Sequence, residues 1–380
     1  MHAYLSPEDC NLAQFAQQVE RQLTYQDVPH AQNIQNNVPI YDVSQLDLSC
    51  DTRVLRAEWA DVLSNTAGVL VLKNAYADTS AIDAATAIYD KIIADEKVVK
   101  SDKVDHFAAT GANDRIWNSA QKLCQYNPLV FAQYFGNQAI DTACQAWLGP
   151  NYQMTAQVNL VRPSGAAQSP HRDYHLGFQS NDVTASYPAH VHDLSPALTL
   201  QGAVAHADMP IESGPTKLLP FSQIYRHGYL AFTQPDFRAY FEEHHVQIPL
   251  AKGDVIFFSP ALYHAGGANV SANIQRMANL LQVSSAFGRA MESLDRSDMT
   301  RRLYKVLSSG NHGLNPLEID AAISACSEGY SFPTNLDKDP PINGLAPETQ
   351  AALCRRALSV SMPIKEFNTA LDAQVARQKS

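Results

Sequence analysis

No stretch of this chain approaches the 18 or so unbroken apolar residues that a bilayer-crossing helix needs, so a membrane span is not expected. The opening residues, MHAYLSPEDCNLAQFAQQ, lack the basic start and apolar run of a secretion signal. Positive charge is scarce: 28 Lys and Arg stand against 38 Asp and Glu, a formal net charge of −10. Such a surface argues against nucleic acid or an anionic membrane as the main partner. A small anion held by one or two buried arginines stays open. The six cysteines (Cys10, Cys50, Cys124, Cys144, Cys326 and Cys354) show no CxxC or zinc-finger spacing. Their even number permits disulfides, but reduced thiols in a cytoplasmic protein are the expectation. There is no internal repeat or low-complexity tract, and Gly and Pro are ordinary, which excludes a fibrous or disordered chain. What is present, 380 residues at 45% hydrophobic composition, suffices for one large domain or two smaller ones.

Up to about Asp51 the chain shows no clear period, so an arm or short irregular elements are expected. Helical spacing follows at Arg53 to Leu63, then a short apolar run at Ala67 to Lys73 that suits a buried strand. Ala81 to Val98 reads as a helix, and Asn127 to Trp147 as one long helix stopped by Gly149-Pro150. From Met154 the texture changes. Met154 to Val161, Ala197 to Ala207, Val246 to Leu250, Asp254 to Phe258 and Met277 to Ser284 read as strands between Gly, Pro, Asn or Ser clusters. Helical patterns return at Leu294 to Leu307 and Pro347 to Leu358. The sequence therefore predicts an α+β fold, with a two-sheet jelly roll of the cupin kind flanked by helices. Residues 1–150 form the mainly helical N-terminal region, 151–289 the β core and 290–380 a helical extension, integrated in one domain.

Chemistry concentrates at Pro170-His-Arg-Asp173 and at a distant His264. Residues i and i+2 of a strand share a face, so His171 and Asp173 can present an imidazole and a carboxylate to one point. A third ligand from another strand completes one face of an octahedron. Two histidines and one carboxylate with three open positions form the facial triad of non-haem Fe(II) oxygenases. HxD alone is a weak signal in a chain with 13 histidines. Its surroundings strengthen it. Ala251 to Phe258 is a turn and an apolar strand that runs into His264 at a strand end. Arg276 opens the next strand, where a guanidinium can pair with the far carboxylate of a 2-oxo diacid chelating the metal.

The stretch Gln157 to Ser285 resembles the phytanoyl-CoA dioxygenase family. Asn159-Leu-Val-Arg-Pro163 and His171-Arg-Asp173 look like its first metal strand. Gly214-Pro-Thr-Lys-Leu-Leu-Pro-Phe-Ser222 is similar to its Leu-Pro-Gly-Ser-His segment, with Phe221 and Gln223 where Gly and His are usual. Lys252-Gly-Asp254, His264 to Ser271 and Arg276 match its second metal motif. The resemblance implies a double-stranded β-helix, Fe(II), 2-oxoglutarate and O₂, with succinate and CO₂ as co-products. It implies His171, Asp173 and His264 as metal ligands and Arg276 as the anchor of 2-oxoglutarate. Asn159 falls where members often contact the oxo acid, and Gln201 is a further candidate. Gly266 stands where many members carry a hydroxyl. Because Asp173 is present, where halogenating relatives carry Gly or Ala, hydroxylation of a small-molecule substrate is favoured.

Plainer readings apply to several of these residues. A single His is most often a satisfied core residue, and Arg276 could be a surface ion-pair residue, although Met277, Ala278 and Leu280 mark a buried strand. His175, two beyond Asp173, either faces the same cavity and the substrate or caps a strand. Arg172 should point away from the metal and serve a structural ion pair. His190, His192 and His206 read as local hydrogen-bonding residues rather than a second metal site. Gly111 to Trp117 could line the substrate pocket or cap a helix. Two rival functions remain open at this stage: a cupin-like isomerase or hydrolase with another metal, and a non-catalytic small-molecule binder. Oligomeric state is left open.

Overall fold

From Gln153 onward the β-prone segments divide between two sheets. The structure, a computed structural model, describes residues 3–99 and 113–380. Its strands are β1 (Asn33–Gln35), β2 (Val38–Asp42), β3 (Val69–Lys73), β4 (Asn113–Ile116), β5 (Gln153–Val161) and β6 (Thr199–Ala205). They continue with β7 (Lys217–Leu219), β8 (Val246–Gln247), β9 (Val255–Phe258), β10 (Tyr263–Ala265) and β11 (Arg276–Ser284). The large sheet runs β1-β2-β3-β9-β6-β11-β5-β4, and the small one runs β10-β7-β8. His171 joins the small sheet beside β10 through an antiparallel bridge to His264. In chain order the segments therefore go large, small, large, small, small, large, small, large. That is the winding of a jelly roll, open at its edges rather than closed into a barrel.

The large sheet has one face on the small sheet and the other on helices. Both faces are thus covered, and β6 is buried at every position, Thr199 and Gln201 included, so its burial shows no alternation. The helices Ser80–Val99, Ser119–Tyr126, Pro128–Phe135 and Gln138–Leu148 lie N-terminal to β5; Arg296–Leu307, Pro316–Cys326, Gln350–Ser359 and Ile364–Gln378 follow β11. Arg296, itself buried, donates to the carbonyls of Met154 on β5 and Cys326. It ties the C-terminal helices to the sheet. Among the described residues no helix is long and apolar enough to cross a membrane.

Three expectations change. The opening stretch is not an arm: it supplies β1 and β2, and β2 pairs in parallel with β3. These strands are only three and five residues long, and β2 is buried on both faces except at Asp42, so no alternation announces them. The helix expected at Asn127 to Trp147 is two helices. Asn127 and Asn137 each cap one by accepting backbone N–H groups with the side chain, and the break falls between them at Gly136. Of the stretch Gly111 to Trp117, Gly111 and Ala112 lie outside the described residues, and Asn113–Ile116 forms the edge strand β4 rather than a helix cap.

Behind the sheet, His206 follows β6 and holds two helices to it. Its ring nitrogens meet Thr86 Oγ1 at 2.8 Å and Tyr134 Oη at 2.7 Å. Asn279 of β11 donates to the same Tyr134 hydroxyl at 3.2 Å. Burial pushes the His206 imidazole down to about 3. The unfolded chain, with a histidine near 6.5, therefore takes up the proton first. Stability from this group is complete above about pH 6.5 and is lost as pH falls towards 3, by about 1.4 kcal/mol per pH unit. His171, His175 and His192 shift in the same direction, largely through burial. Urea unfolding of the metal-free protein at pH 7.5, 6.0 and 5.0 should show His206→Gln with a pH slope shallower than wild type by that amount; parallel slopes would refute a neutral buried His206.

Candidate metal centre and its cavity

Extended backbone alone does not bring His171 and His264 together; a two-residue pairing does. His171 N–H donates to His264 O at 3.0 Å, and His264 N–H donates back to His171 O at 3.2 Å. One step further, Asp173 N–H donates to Pro260 O at 3.0 Å. After Asp173 the chain leaves this line sharply, because Tyr174 and His175 both take positive φ, 61° and 40°. Few non-glycine residues do so, and such strain concentrates at functional sites.

The result is a cluster of three ligand atoms within 4.8 Å of one another, from His171, Asp173 and His264. His171 Nε2 stands 3.7 Å from Asp173 Oδ1, and His264 Nε2 stands 3.4 Å from Asp173 Oδ2. Each Nδ1 faces a carbonyl, Ser169 O for His171 and Leu262 O for His264, both at 2.8 Å. A carbonyl only accepts, so each Nδ1 carries the hydrogen, and a neutral ring turns its Nε2 lone pair towards the carboxylate. Burial, and then His264 beside it, lower the His171 pKa and favour the neutral ring. Burial would raise the Asp173 carboxyl, but the His264 and His171 imidazoles beside it and the Gln201 hydrogen bond outweigh it and hold the group well below the usual carboxylate range. Three electron-pair donors facing one another form a set that a metal cation could fill. The donor set, two nitrogens and one oxygen, suits a first-row divalent metal such as Fe(II).

These groups open into a cavity of about 560 Å³, the size of a small-molecule site. Arg276 and Asn159 line it, as does Gln201. Arg276 is half-buried, and its Nη1 donates to Ser213 O at 3.1 Å and Gly267 O at 3.0 Å. Those carbonyls can approach because Gly214 takes φ +73° and a Cβ there would sit 2.2 Å from Ala268 O. Burial lowers the Arg276 pKa to about 10. Among the described residues no carboxylate pairs with it, so its charge is left for an anionic ligand. Asn159 Oδ1 is buried without a partner. Gln201 Nε2 donates to Asp173 Oδ2, so this amide grips a candidate ligand directly.

His175 is not brought to the cavity. The alternation that would have placed it there ends at the turn after Asp173, and its Nδ1 faces Ser195 Oγ at 3.3 Å. Arg172 does point away, but among the described residues it makes no ion pair. Its Nη2 donates to Ser222 O at 2.6 Å and Tyr225 O at 3.0 Å. The guanidinium lies 5.0 Å and 5.1 Å from the ring centres of Tyr229 and Tyr263, so carbonyls and aromatic faces replace a carboxylate. Neither His192 nor His206 faces a metal-ligand neighbour: His192 meets Thr184 O, and among the described residues the triad is the one such cluster.

Sequence reasoning passed over Gln168. Its Oε1 accepts from Gly266 N–H at 2.9 Å, and its side chain occupies the space a residue larger than glycine would need at 266. It therefore stands near where relatives were expected to carry a hydroxyl. Nothing in its loop spacing marks it. At the other altered motif position, Phe221 keeps the left-handed backbone a glycine would adopt, φ 67°, with its ring buried.

The family profile of phytanoyl-CoA dioxygenase (PhyH) matches residues 51–278, which include all three triad residues and Arg276. The chain belongs to the phytanoyl-CoA dioxygenase family. As a member of this family it is an enzyme of the iron- and 2-oxoglutarate-dependent class. No curated protein matches the chain. Among solved structures it is similar to the non-heme alpha ketoglutarate dependent epimerase SnoN from nogalamycin biosynthesis, at 18% identity over 61% of this chain and 83% of that one, TM-score 0.40. It is also similar to the carbocyclase SnoK from the same biosynthesis, at 17% identity over 64% and 89%, TM-score 0.43. EvdMO1 matches at 16% identity over 60% and 50%, TM-score 0.41.

The buried Arg172 makes the residue facing it critical. A Cβ on Gly228 would lie 1.9 Å from the guanidinium carbon. The guanidinium is pinned between two rings and two carbonyls and cannot swing aside. Gly228→Ala should destabilise the fold by about 1–3 kcal/mol and weaken Mn(II) binding, since Arg172 sits between His171 and Asp173. Chemical denaturation and a metal titration check this; an unchanged midpoint would show that Arg172 relaxes freely.

Proposed function

We propose that this protein is an Fe(II)- and 2-oxoglutarate-dependent dioxygenase that hydroxylates an unactivated C–H bond of a small-molecule metabolite. The observation that carries the reading is the pairing, in one cavity, of the His171, Asp173 and His264 cluster with an Arg276 guanidinium that no acid among the described residues neutralises. A metal-dependent isomerase or hydrolase that works without 2-oxoglutarate would have no use for that arginine.

His171 and His264 offer Nε2, and Asp173 offers one carboxylate oxygen, leaving the remaining metal positions to ligands from solution. Bound there, iron and 2-oxoglutarate supply the oxidant by oxidative decarboxylation with O₂, yielding succinate and CO₂. The protein's part is positional. The Ser169 and Leu262 carbonyls fix the two imidazole tautomers. Gln201 holds the Asp173 carboxylate. Arg276 pairs with the distal carboxylate of 2-oxoglutarate, and the Asn159 and Gln168 amides stand in the same cavity as further polar contacts. Apolar Ile256, Phe258 and Met209 line the same space and exclude water from the reacting bond. Asp173 fills the position that a halide would need, which supports oxygen transfer over halogenation. The excess of acidic over basic residues, 38 against 28, supports a small molecule, rather than nucleic acid, as substrate.

Purified protein given Fe(II), 2-oxoglutarate and air should form succinate slowly even without substrate, and His264→Ala should form none. If wild type forms no succinate and calorimetry shows no 2-oxoglutarate binding to the metal-loaded protein, the oxygenase reading fails. Arg276→Leu should raise the 2-oxoglutarate Kd at least about 30-fold, the cost of removing one partner of a buried charge pair. Arg276→Lys should restore only part, because an ammonium cannot make the two parallel bonds of a guanidinium. Equal Kd values for Arg276→Leu and wild type would remove Arg276 from the site.

A further inference from the structure

Across the inner face of the large sheet runs a row of side chains whose hydrogen bonds point one way. Arg115 Nη1 donates to Gln157 Oε1 at 3.0 Å. Gln157 Nε2 donates to Gln282 Oε1 at 2.7 Å. Gln201 Nε2 donates to Asp173 Oδ2. The first four of these residues sit on β4, β5, β11 and β6, which are neighbours in that order. All line the cavity. The direction is set at both ends, because a guanidinium only donates and a carboxylate only accepts. Each amide is thereby fixed with its oxygen towards Arg115 and its nitrogen towards Asp173.

One junction is open. Gln282 and Gln201 are directly opposite in the β11–β6 register, so their side chains share a face. Yet Gln201 Oε1 is buried without a hydrogen-bond partner, on a residue only 6% exposed. No bond links it to Gln282 Nε2, the donor next in the row. A buried acceptor left unpaired is costly and persists where something else satisfies it.

We propose that this junction is a substrate subsite for a hydroxyl group, which accepts from Gln282 Nε2 and donates to Gln201 Oε1. The inference rests on the cavity being the substrate chamber of the proposed dioxygenase and names what it recognises. Only a group that both donates and accepts closes the row. A carboxylate would face the Gln201 oxygen with no hydrogen, an ammonium would face the Gln282 N–H with no lone pair, and an ether could serve Gln282 alone. Gln201 then has two duties. Its nitrogen positions Asp173, and its oxygen reads the substrate hydroxyl, which places the hydroxylated part of the substrate beside the metal centre. The exposed Trp117, Phe178 and Met291, which also line the cavity, give the rest of the molecule an apolar surface.

The test uses full-length protein loaded with Mn(II) and saturated with 2-oxoglutarate, and two aromatic probes, benzyl alcohol and benzyl methyl ether. Paramagnetic broadening of the probe protons reports binding near the metal. Wild type should bind the alcohol at least about fivefold more tightly than the ether, the worth of one hydrogen bond. Gln282→Leu should erase that preference with Mn(II) affinity within about twofold of wild type. Gln201→Met should erase it too and also weaken Mn(II) about tenfold, because the carboxylate loses its support. The wild-type comparison needs no variant to fold. Alcohol and ether bound alike by wild type, or a preference that survives Gln282→Leu, overturns the subsite while leaving the metal centre standing. Wild type that takes up neither Mn(II) nor 2-oxoglutarate overturns the oxygenase reading and the subsite with it.

Discussion

The reciprocal pair of backbone hydrogen bonds between His171 and His264 is what the candidate site depends on. It adds a fourth segment to the small sheet, sets two imidazoles side by side with ring centres 4.5 Å apart, and starts the extended run that delivers Asp173 to the same point. Everything around it protects that register. The Pro260 carbonyl takes the Asp173 N–H, the Ser169 and Leu262 carbonyls take the ring N–H groups, and Arg172 pulls the intervening residue into the opposite side of the layer. A slip of one residue would send Arg172 into the cavity and both ligands out of it.

Charge placement follows the same economy. Arg172 is buried and Arg276 half-buried, and neither has a carboxylate partner among the described residues. Arg172 is satisfied by carbonyls and the faces of two tyrosines, so its charge is spent inside the structure. Arg276 is held by two carbonyls through one nitrogen only and faces the cavity. A cation withdrawn even partly from water in an acidic protein would ordinarily find an acid. Leaving this one unmatched favours a dianionic co-substrate over water and over neutral competitors.

Much of this was legible in the chain because it is local. HxD, the strand into His264 and Arg276 at the head of β11 are all short-range patterns, and β5, β6, β9 and β11 carry enough apolar length to be read as strands. β8 falls within the strand expected at Val246 to Leu250 and is only two residues of it, whereas the three-residue β7 and β10 lie at the length at which periodicity carries no signal. β1 and β2 were lost in the opening stretch for the same reason. The site was misread where alternation was extended one step too far: His175 would share the face of Asp173 only if the strand continued, and positive φ at Tyr174 ends it. Gln201 was visible as a polar residue in an apolar strand, but its grip on Asp173 is a contact between segments distant in sequence. Gln168 and the row of glutamines were invisible for that reason too, since each glutamine alone is unremarkable and only the strand order β5-β11-β6 makes them neighbours.

The pairing of His171 with His264 has a further consequence in time. The ligands come from segments roughly ninety residues apart, and closing a loop of that size must precede any reward from the contacts it makes. Between them lie β6 to β9, in the layer order large, small, small, large, so the pairing of the two histidines closes over a full turn of the roll. Its loop-closure cost falls on the chain before the contacts of the centre repay it. A metal ion held by all three side chains would act as a clasp on the finished molecule, not as a seed for its folding.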